Sequence, residues 1–515
     1  MSLSLVYTRA QHGINSPLVT VETHISNGNP FFAIVGLPEA AVKESKDRVR
    51  SAIINSKFEF PIRRITVNLG PADLPKEGGR YDLAIALGIL AATSQIPKQQ
   101  LHEYEFIGEL ALSGELKPVK GILPSAMALK DDARSLIVAR ANADEATFVN
   151  TATVYAVDNL DQLCRHLRRE VYLEPYISDK KYTKQNHHLD LNEIKGQYQA
   201  KRALTIAAAG GHSILFFGPP GSGKTLLANR LLGLLPDLND SQAKEVAAIQ
   251  SVSNQGLSIE NLMARPFRTP HHTASHVALV GGGKNPTPGE ISLAHNGILF
   301  LDELPEFDRK VLEVLREPLE SGKIVISRAA NKIEYPAKFQ LIAAMNPCPC
   351  GHLGDERMPC RCTELQIKRY RQKLSGPLLD RLDMHVAVKA LSSRELIIAN
   401  EDNNDNNQQN MINSAKIKEQ VHWCQQLQLK RQNVLNCELD HKNLEKICQL
   451  DSTTRSFMQH AMDKLGFSAR VFHRILKLAR TIADLSDIAE TSEVTVNHLS
   501  EAIAFRGLDK LRFEA

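Results

Sequence analysis

Ser213-Ile-Leu-Phe-Phe-Gly-Pro-Pro-Gly-Ser-Gly-Lys-Thr225 is the stretch that decides the fold: a short apolar run enters a glycine-rich loop closed by a lysine and a hydroxyl. The spacing Gly218-x-x-x-x-Gly223-Lys224-Thr225 meets the full P-loop pattern, and the helical run Leu226–Leu232 follows at once. Small residues at Gly218, Gly221 and Gly223 let backbone N–H groups turn inward around phosphate oxygens. Pro219, Pro220 and Ser222 complete the loop, and the following helix presents its positive end to the same oxygens. Lys224 then reaches the β/γ-phosphates of ATP and Thr225 holds Mg²⁺.

A metal so placed needs a further anchor, and an attacking water needs a base. Gly297-Ile-Leu-Phe-Leu-Asp-Glu303 supplies both as a buried strand ending in carboxylates, with Asp302 on the metal's water shell and Glu303 orienting and deprotonating the water. A second apolar run from Phe339 ends at Asn346, whose side chain can sense the γ-phosphate from a neighbouring strand; the plainer reading is a strand-terminating Asn before Pro347.

With 515 residues the chain has room for about three domains. A net charge of +4 is too small to establish a nucleic-acid partner, so local patches must carry any such argument. The N-terminus lacks a basic region followed by an apolar core, and no run approaches a membrane span, so the expectation is a soluble cytoplasmic protein without a membrane partner. Cys164, Cys424, Cys437 and Cys448 are scattered and read as free thiols. Cys348, Cys350, Cys360 and Cys362 form two C-x-C pairs on a Gly/Pro-rich loop that could close around one structural Zn²⁺. The pairs are tighter than usual zinc spacing; free or redox-active thiols are the alternative, and His352 is a substitute ligand.

The fold class is α/β, in blocks. Residues 1–176 mix β-rich runs (from Ile65, Leu136 and Val154) with helical stretches (Ala41–Ile53, Asp82–Ala92, Asp161–Leu167). Residues 177–190, including Ser178-Asp-Lys-Lys-Tyr-Thr-Lys-Gln-Asn-His-His188, read as a polar linker, and 191–390 as the ATPase core. Residues 391–410 form a second linker containing the low-complexity tract Glu401–Asn410, and 411–515 carry helical periodicity, strongest from Val471 to Leu485.

Four segments carry a resemblance: Lys195-Gly-Gln-Tyr-Gln-Ala-Lys-Arg-Ala-Leu204, Phe267-Arg-Thr-Pro-His-His-Thr-Ala-Ser275, Gly281-Gly-Gly-Lys-Asn-Pro-Thr-Pro-Gly-Glu-Ile-Ser-Leu-Ala-His295 and Ser375-Gly-Pro-Leu-Leu-Asp-Arg-Leu-Asp383. Together they resemble the YifB/ComM family of magnesium-chelatase-like AAA+ ATPases over nearly the whole chain. That resemblance implies a homo-hexameric ring with ATP at subunit interfaces. It further implies a DNA motor on single-stranded and branched DNA that drives branch migration during natural transformation, alongside recombination proteins. By the same resemblance Arg381 corresponds to an arginine finger acting on a neighbouring protomer, and Arg470 to a second sensor arginine, the C-terminal block being a helical lid.

Ile324-Val-Ile-Ser-Arg-Ala-Ala-Asn-Lys-Ile-Glu-Tyr-Pro336 reads as a β-hairpin with Arg328 and Lys332 near its tip. It lies where related helicases insert a hairpin into the ring channel, and its cations would track phosphates regardless of sequence. Lys284, among glycines and prolines, is a second DNA-binding candidate. Sparse aromatic residues argue for backbone tracking over base reading.

The segments Leu69–Ala86 and Gly114–Pro124 look like the proteolytic domain of Lon, which needs a serine activated by a lysine. Arg80 and Leu123 stand at those two positions, so a scaffold without the dyad is expected. An ATP-dependent remodeller of a protein or metal-insertion complex stays open through the magnesium-chelatase likeness.

Overall fold

The computed structural model describes residues 2–129, 134–149, 152–179, 190–257, 262–283, 286–327, 332–390, 414–486 and 493–508. The N-terminal part is built on strands β1 (Ser2–Arg9), β2 (Leu18–Ser26), β3 (Phe31–Val35), β4 (Arg64–Gly70), β5 (Tyr104–Ile107), β6 (Ser135–Ala139) and β7 (Val154–Val157). They form one sheet in the order β3-β4-β2-β1-β5-β6-β7. β1 and β2 pair antiparallel over their whole length, Ser2 opposite Ile25 and Arg9 opposite Leu18, whereas β5, β6 and β7 run parallel. In β2 the odd-numbered positions are buried and the even ones more open, the period that packs one face of a sheet. Helix α1 (Ala40–Asn55) and the wholly buried α2 (Asp82–Ala92) cover this sheet, and α3 (Ile122–Ala128), α4 (Arg140–Thr147) and α5 (Leu160–Leu167) complete the part. The mixed α/β class is as the sequence indicated.

The central part starts with α6 (Tyr198–Gly210). Strands β8 (Ile214–Phe217), β9 (Phe267–Arg268), β10 (Ile298–Leu301), β13 (Gln340–Met345) and β14 (Met384–Ala387) form a parallel sheet ordered β9-β10-β13-β8-β14. Every residue of β10 and β13 is buried, as expected of inner parallel strands covered on both faces. Helix α7 (Lys224–Leu234) leaves β8, and α8 (Asp240–Ser251) follows behind a reciprocal cap between Asn239 and Gln242. Between β10 and β13 the chain forms an antiparallel hairpin, β11 (Lys323–Ser327) with β12 (Lys332–Pro336), and after β13 it forms the basic helix α9 (Glu364–Arg371).

The C-terminal part is helical: α10 (Ser414–Gln432), α11 (His441–Ile447), α12 (Ser452–Leu465), α13 (Ala469–Ser486) and α14 (Val496–Ala504). These helices share a continuous apolar core with α6, α7 and β8. Asp383 at the foot of β14 couples them further: it accepts from Ser213 N at 2.9 Å and from Arg474 Nη1 of α13 at 2.7 Å, with His212 Nδ1 3.5 Å away. The two polar tracts expected as linkers fall largely at 180–189 and 391–413, outside the described residues.

Where the Lon resemblance places a catalytic pair, Arg80 and Leu123 are both buried. Ser125 is fully buried, and its hydroxyl lies 2.7 Å from Ser16 Oγ and accepts from Arg80 Nη2 at 3.3 Å.

Candidate nucleotide and metal sites

All strands of the central sheet are parallel, so their C-terminal ends open on one edge, and the cradle forms there. Gly218 leaves β8 under Val388; a Cβ at 218 would lie 2.0 Å from Val388 O, so only glycine fits. Gly223 takes φ 92, the left-handed turn that lets the chain enter α7. Lys224 is nearly buried and folds back over the loop, donating to Gly218 O (2.8 Å), Pro219 O (2.9 Å) and Asn346 Oδ1 (3.2 Å). Burial lowers its pKa, with Asp302 and Glu303 opposing that shift. Thr225 Oγ1 donates to Asp302 Oδ2 at 2.8 Å. The strand ends of β8, β10 and β13 thus bring Lys224, Thr225, Asp302 and Asn346 into one hydrogen-bonded group.

Glu303 extends the group towards solvent. Its backbone is left-handed at φ 53, a conformation that stores strain in a non-glycine residue, and its N–H donates to Asp302 Oδ1 at 2.9 Å. A cleft of about 600 Å³ opens beside it, lined by Thr225, Asn229, Asp302, Glu303, His271 and His272 among others. His272 Nδ1 sits 3.4 Å from Glu303 Oε2, and its ring lies 4.1 Å from that of His271. These histidines fall in the Phe267–Ser275 segment, which the sequence alone did not tie to the site. The signal was there, because β9 runs parallel to β10, so whatever follows Phe267-Arg268 must reach the edge that carries Asp302.

Arg381 and Arg470 lie elsewhere. Ser213 Oγ donates to Arg381 O at 3.4 Å, which puts Arg381 at the N-terminal end of β8, one strand length of about 13 Å from the loop that begins at Gly218. Its side chain is 6% exposed, and Nη2 pairs with Glu320 at 2.6 Å. Arg470, at the start of α13, approaches the same carboxylate at 3.5 Å.

The four clustered cysteines converge. Cys348 Sγ is 3.4 Å from Cys350 Sγ and 3.6 Å from Cys360 Sγ, and all four sulfurs lie within 4.8 Å of one another. A tetrahedral Zn²⁺ with 2.3 Å bonds needs sulfurs about 3.8 Å apart, so this donor set fits the ion. Backbone N–H groups of His352 and Arg361 lower the Cys350 thiol to about 6, whereas burial pushes the neighbouring Cys348 thiol up to about 12. His352 is not in the cluster; its Nδ1 faces Asp355 at 3.2 Å. The loop also touches the cradle: a Cβ on Gly351 would lie 2.8 Å from Pro220 Cδ and 3.9 Å from Asn346 Cγ.

The β11–β12 hairpin buries Ile324, Ile326, Ile333 and Tyr335 while Lys323, Lys332 and Glu334 face solvent, with Lys323 and Glu334 paired at 2.7 Å. Arg328 and Lys284 lie outside the described residues.

Residues 190–396 match the family described as magnesium chelatase, subunit ChlI; residues 21–142 match subunit ChlI of Mg-chelatase, and 411–506 its C-terminal part. The chain is 48% identical over 515 residues to the competence protein ComM of Haemophilus influenzae, covering 99% of both. The chain belongs to the YifB/ComM family of magnesium-chelatase-like AAA+ proteins. YifB of Escherichia coli is likewise 48% identical, over 99% of this chain and 98% of its own. The magnesium-chelatase 38 kDa subunit of Cereibacter sphaeroides is more distant, 29% identical over 174 residues, or 30% of this chain and 51% of that protein. YifB/ComM membership accounts for a P-loop sheet followed by a helical C-terminal part. Among the described residues no helix is long and apolar enough to cross a membrane.

Proposed function

We propose that this protein is an ATP hydrolase that assembles as a homo-hexameric ring and translocates on DNA, driving branch migration in the recombination step of natural transformation. In this reading Gly218 to Thr225 hold the triphosphate, and Thr225 and Asp302 hold Mg²⁺. Glu303 activates water, and Asn346 reads the γ-phosphate. When bound, the metal neutralises phosphate charge; the chain's own groups orient the water and take its proton.

The observation that carries the motor reading is the connection of the hairpin to the site. β12 ends at Pro336 and the chain passes within a few residues into β13, whose end delivers Asn346 to Lys224 at 3.2 Å. A cationic hairpin on the same segment as the γ-phosphate sensor can convert nucleotide state into displacement of a bound phosphate backbone. The similarity to a competence protein supports DNA as that polymer. The place of Arg381, a full strand away from its own cradle, fits service to a neighbour's and in that way supports ring assembly.

The Cys348, Cys350, Cys360 and Cys362 cluster is read as a structural Zn²⁺ site. Single-stranded or branched DNA is expected to stimulate ATP turnover, and the Arg328→Ala/Lys332→Ala double variant to lose that response. A synthetic four-way junction tests branch migration directly. Turnover indifferent to DNA but raised by a protein or tetrapyrrole partner would favour a remodeller of the magnesium-chelatase kind.

A further inference from the structure

Ala10-Gln-His-Gly-Ile-Asn-Ser-Pro17 joins β1 to β2, leaves the N-terminal sheet and reaches the central part. Its base is fixed by a buried polar network. The Arg9 guanidinium meets the Glu105 carboxylate twice, at 2.6 and 3.0 Å, and donates a third bond to Ser16 O at 3.0 Å. Ser16 Oγ donates to Ala10 O at 2.9 Å and lies 2.7 Å from Ser125 Oγ. Two-pronged guanidinium–carboxylate contacts fix orientation as well as distance. Above this base, Ala10 N donates to Pro17 O at 3.0 Å, and His12 and Asn15 exchange N–H···O bonds of 2.9 and 3.0 Å. The connection is therefore a stiff stem.

Its tip enters the apolar underside of the β11–β12 hairpin. Gly13 has φ +61, and a Cβ there would lie 2.6 Å from Ile333 Cγ2, with atoms of the Tyr335 ring at 3.7 and 3.8 Å. Ile14 packs on the cluster that contains Ile324, Ile326, Ile333 and Tyr335. Tyr335 in turn donates its hydroxyl to Pro286 O at 2.8 Å, in the loop that carries Lys284. One turn of the N-terminal part thus sits against the hairpin, whose Tyr335 holds that loop at Pro286.

We propose that residues 10–17 are a strut by which the N-terminal part sets the position of the hairpin, with Gly13 and Ile14 as positioning residues for its contact with nucleic acid. The functional half of this inference rests on the hairpin reading above. The strut gives the Lon-like part a mechanical role: the Ser125 hydroxyl is spent on Ser16 and on Arg80, and the network it joins anchors a stem.

The test uses full-length protein carrying Gly13→Val, which clashes with Ile333, or Ile14→Ser, which removes the apolar contact without a clash. Hydrogen exchange of the amides in 323–336 is measured together with ATP turnover with and without single-stranded DNA. In both variants hairpin exchange is expected to rise about tenfold with basal turnover within about twofold of wild type, and DNA stimulation to fall to a third or less. Unchanged hairpin exchange in the folded Ile14→Ser protein overturns the strut. If wild-type turnover ignores DNA, the motor reading falls while the exchange measurement still decides the strut.

Discussion

Arg381 is held 2.6 Å from Glu320 at the edge of the central sheet opposite the phosphate loop. An arginine finger must approach a γ-phosphate, whereas Arg381 is buried, ion-paired and a strand length from its own chain's cradle. As the proposed finger, Arg381 would have to leave Glu320 and reach a neighbour's cradle. Arg381→Ala is expected to bind ATP normally and to lose turnover by about a thousandfold. Mixing it with Lys224→Ala, which retains the finger but not the cradle, should restore activity to the mixture. Two inactive preparations that stay inactive when mixed, despite co-assembly, would refute action in trans.

Lys224 and Glu303 fail differently. Lys224 supplies the cation of the group hydrogen-bonded around the cradle, so Lys224→Ala should abolish nucleotide binding in a fluorescent-nucleotide titration. Glu303 lies outside that group, exposed beside the cleft, so Glu303→Gln should keep ATP affinity within a few-fold and lose turnover by about a hundredfold or more. Normal turnover in Glu303→Gln would remove it from the role of base.

The cradle was legible because its pattern is local. Gly218 to Thr225, the Asp302–Glu303 strand end and Asn346 each announce themselves within a few residues, and parallel pairing of their strands leaves them one place to meet. The hairpin was legible too, through alternation of Ile324, Ile326, Ile333 and Tyr335 with polar residues. What escaped depends on long-range pairing. Strands β1 and β2 mix Ser, Thr, Glu and His with their apolar residues, so only their mutual register shows which face is buried. Glu320 shows no local signal for its place between Arg381 and Arg470, and Asp383 none for gathering Ser213, His212 and Arg474.

Asp383 carries a prediction about stability. Burial works to raise its carboxyl, but Arg474 and His212 hold it well below the ordinary carboxylate range. A depressed carboxylate contributes stability that is fully present above the unfolded-state value of about 4 and is lost as pH falls through the folded-state value. Asp383→Ala leaves the half-buried Arg474 without its partner, at a cost of about 3 kcal/mol near neutral pH. Denaturant titrations at pH 7 should show that loss, and the wild-type advantage over the variant should shrink below about pH 4. An advantage that grows on acidification would contradict the ion-pair account.

The cysteine loop packs against the phosphate loop, so filling its proposed metal site is expected to act on the cradle. Cys348 follows Asn346 by two residues, and Gly351 packs against Pro220, so four thiolates drawn to one ion would fix a wall of the loop that Lys224 folds over. Purified protein is expected to hold one zinc per chain by elemental analysis. Cys348→Ser should lower that content, reduce the melting temperature and weaken nucleotide binding several-fold, because a loosened Gly351 no longer confines Pro220. Chelation should reproduce all three changes in wild-type protein and none in the variant. Metal-free protein with unaltered melting and unaltered nucleotide affinity would show that the thiols converge without holding an ion, and that the cradle wall stands on Gly351 packing alone.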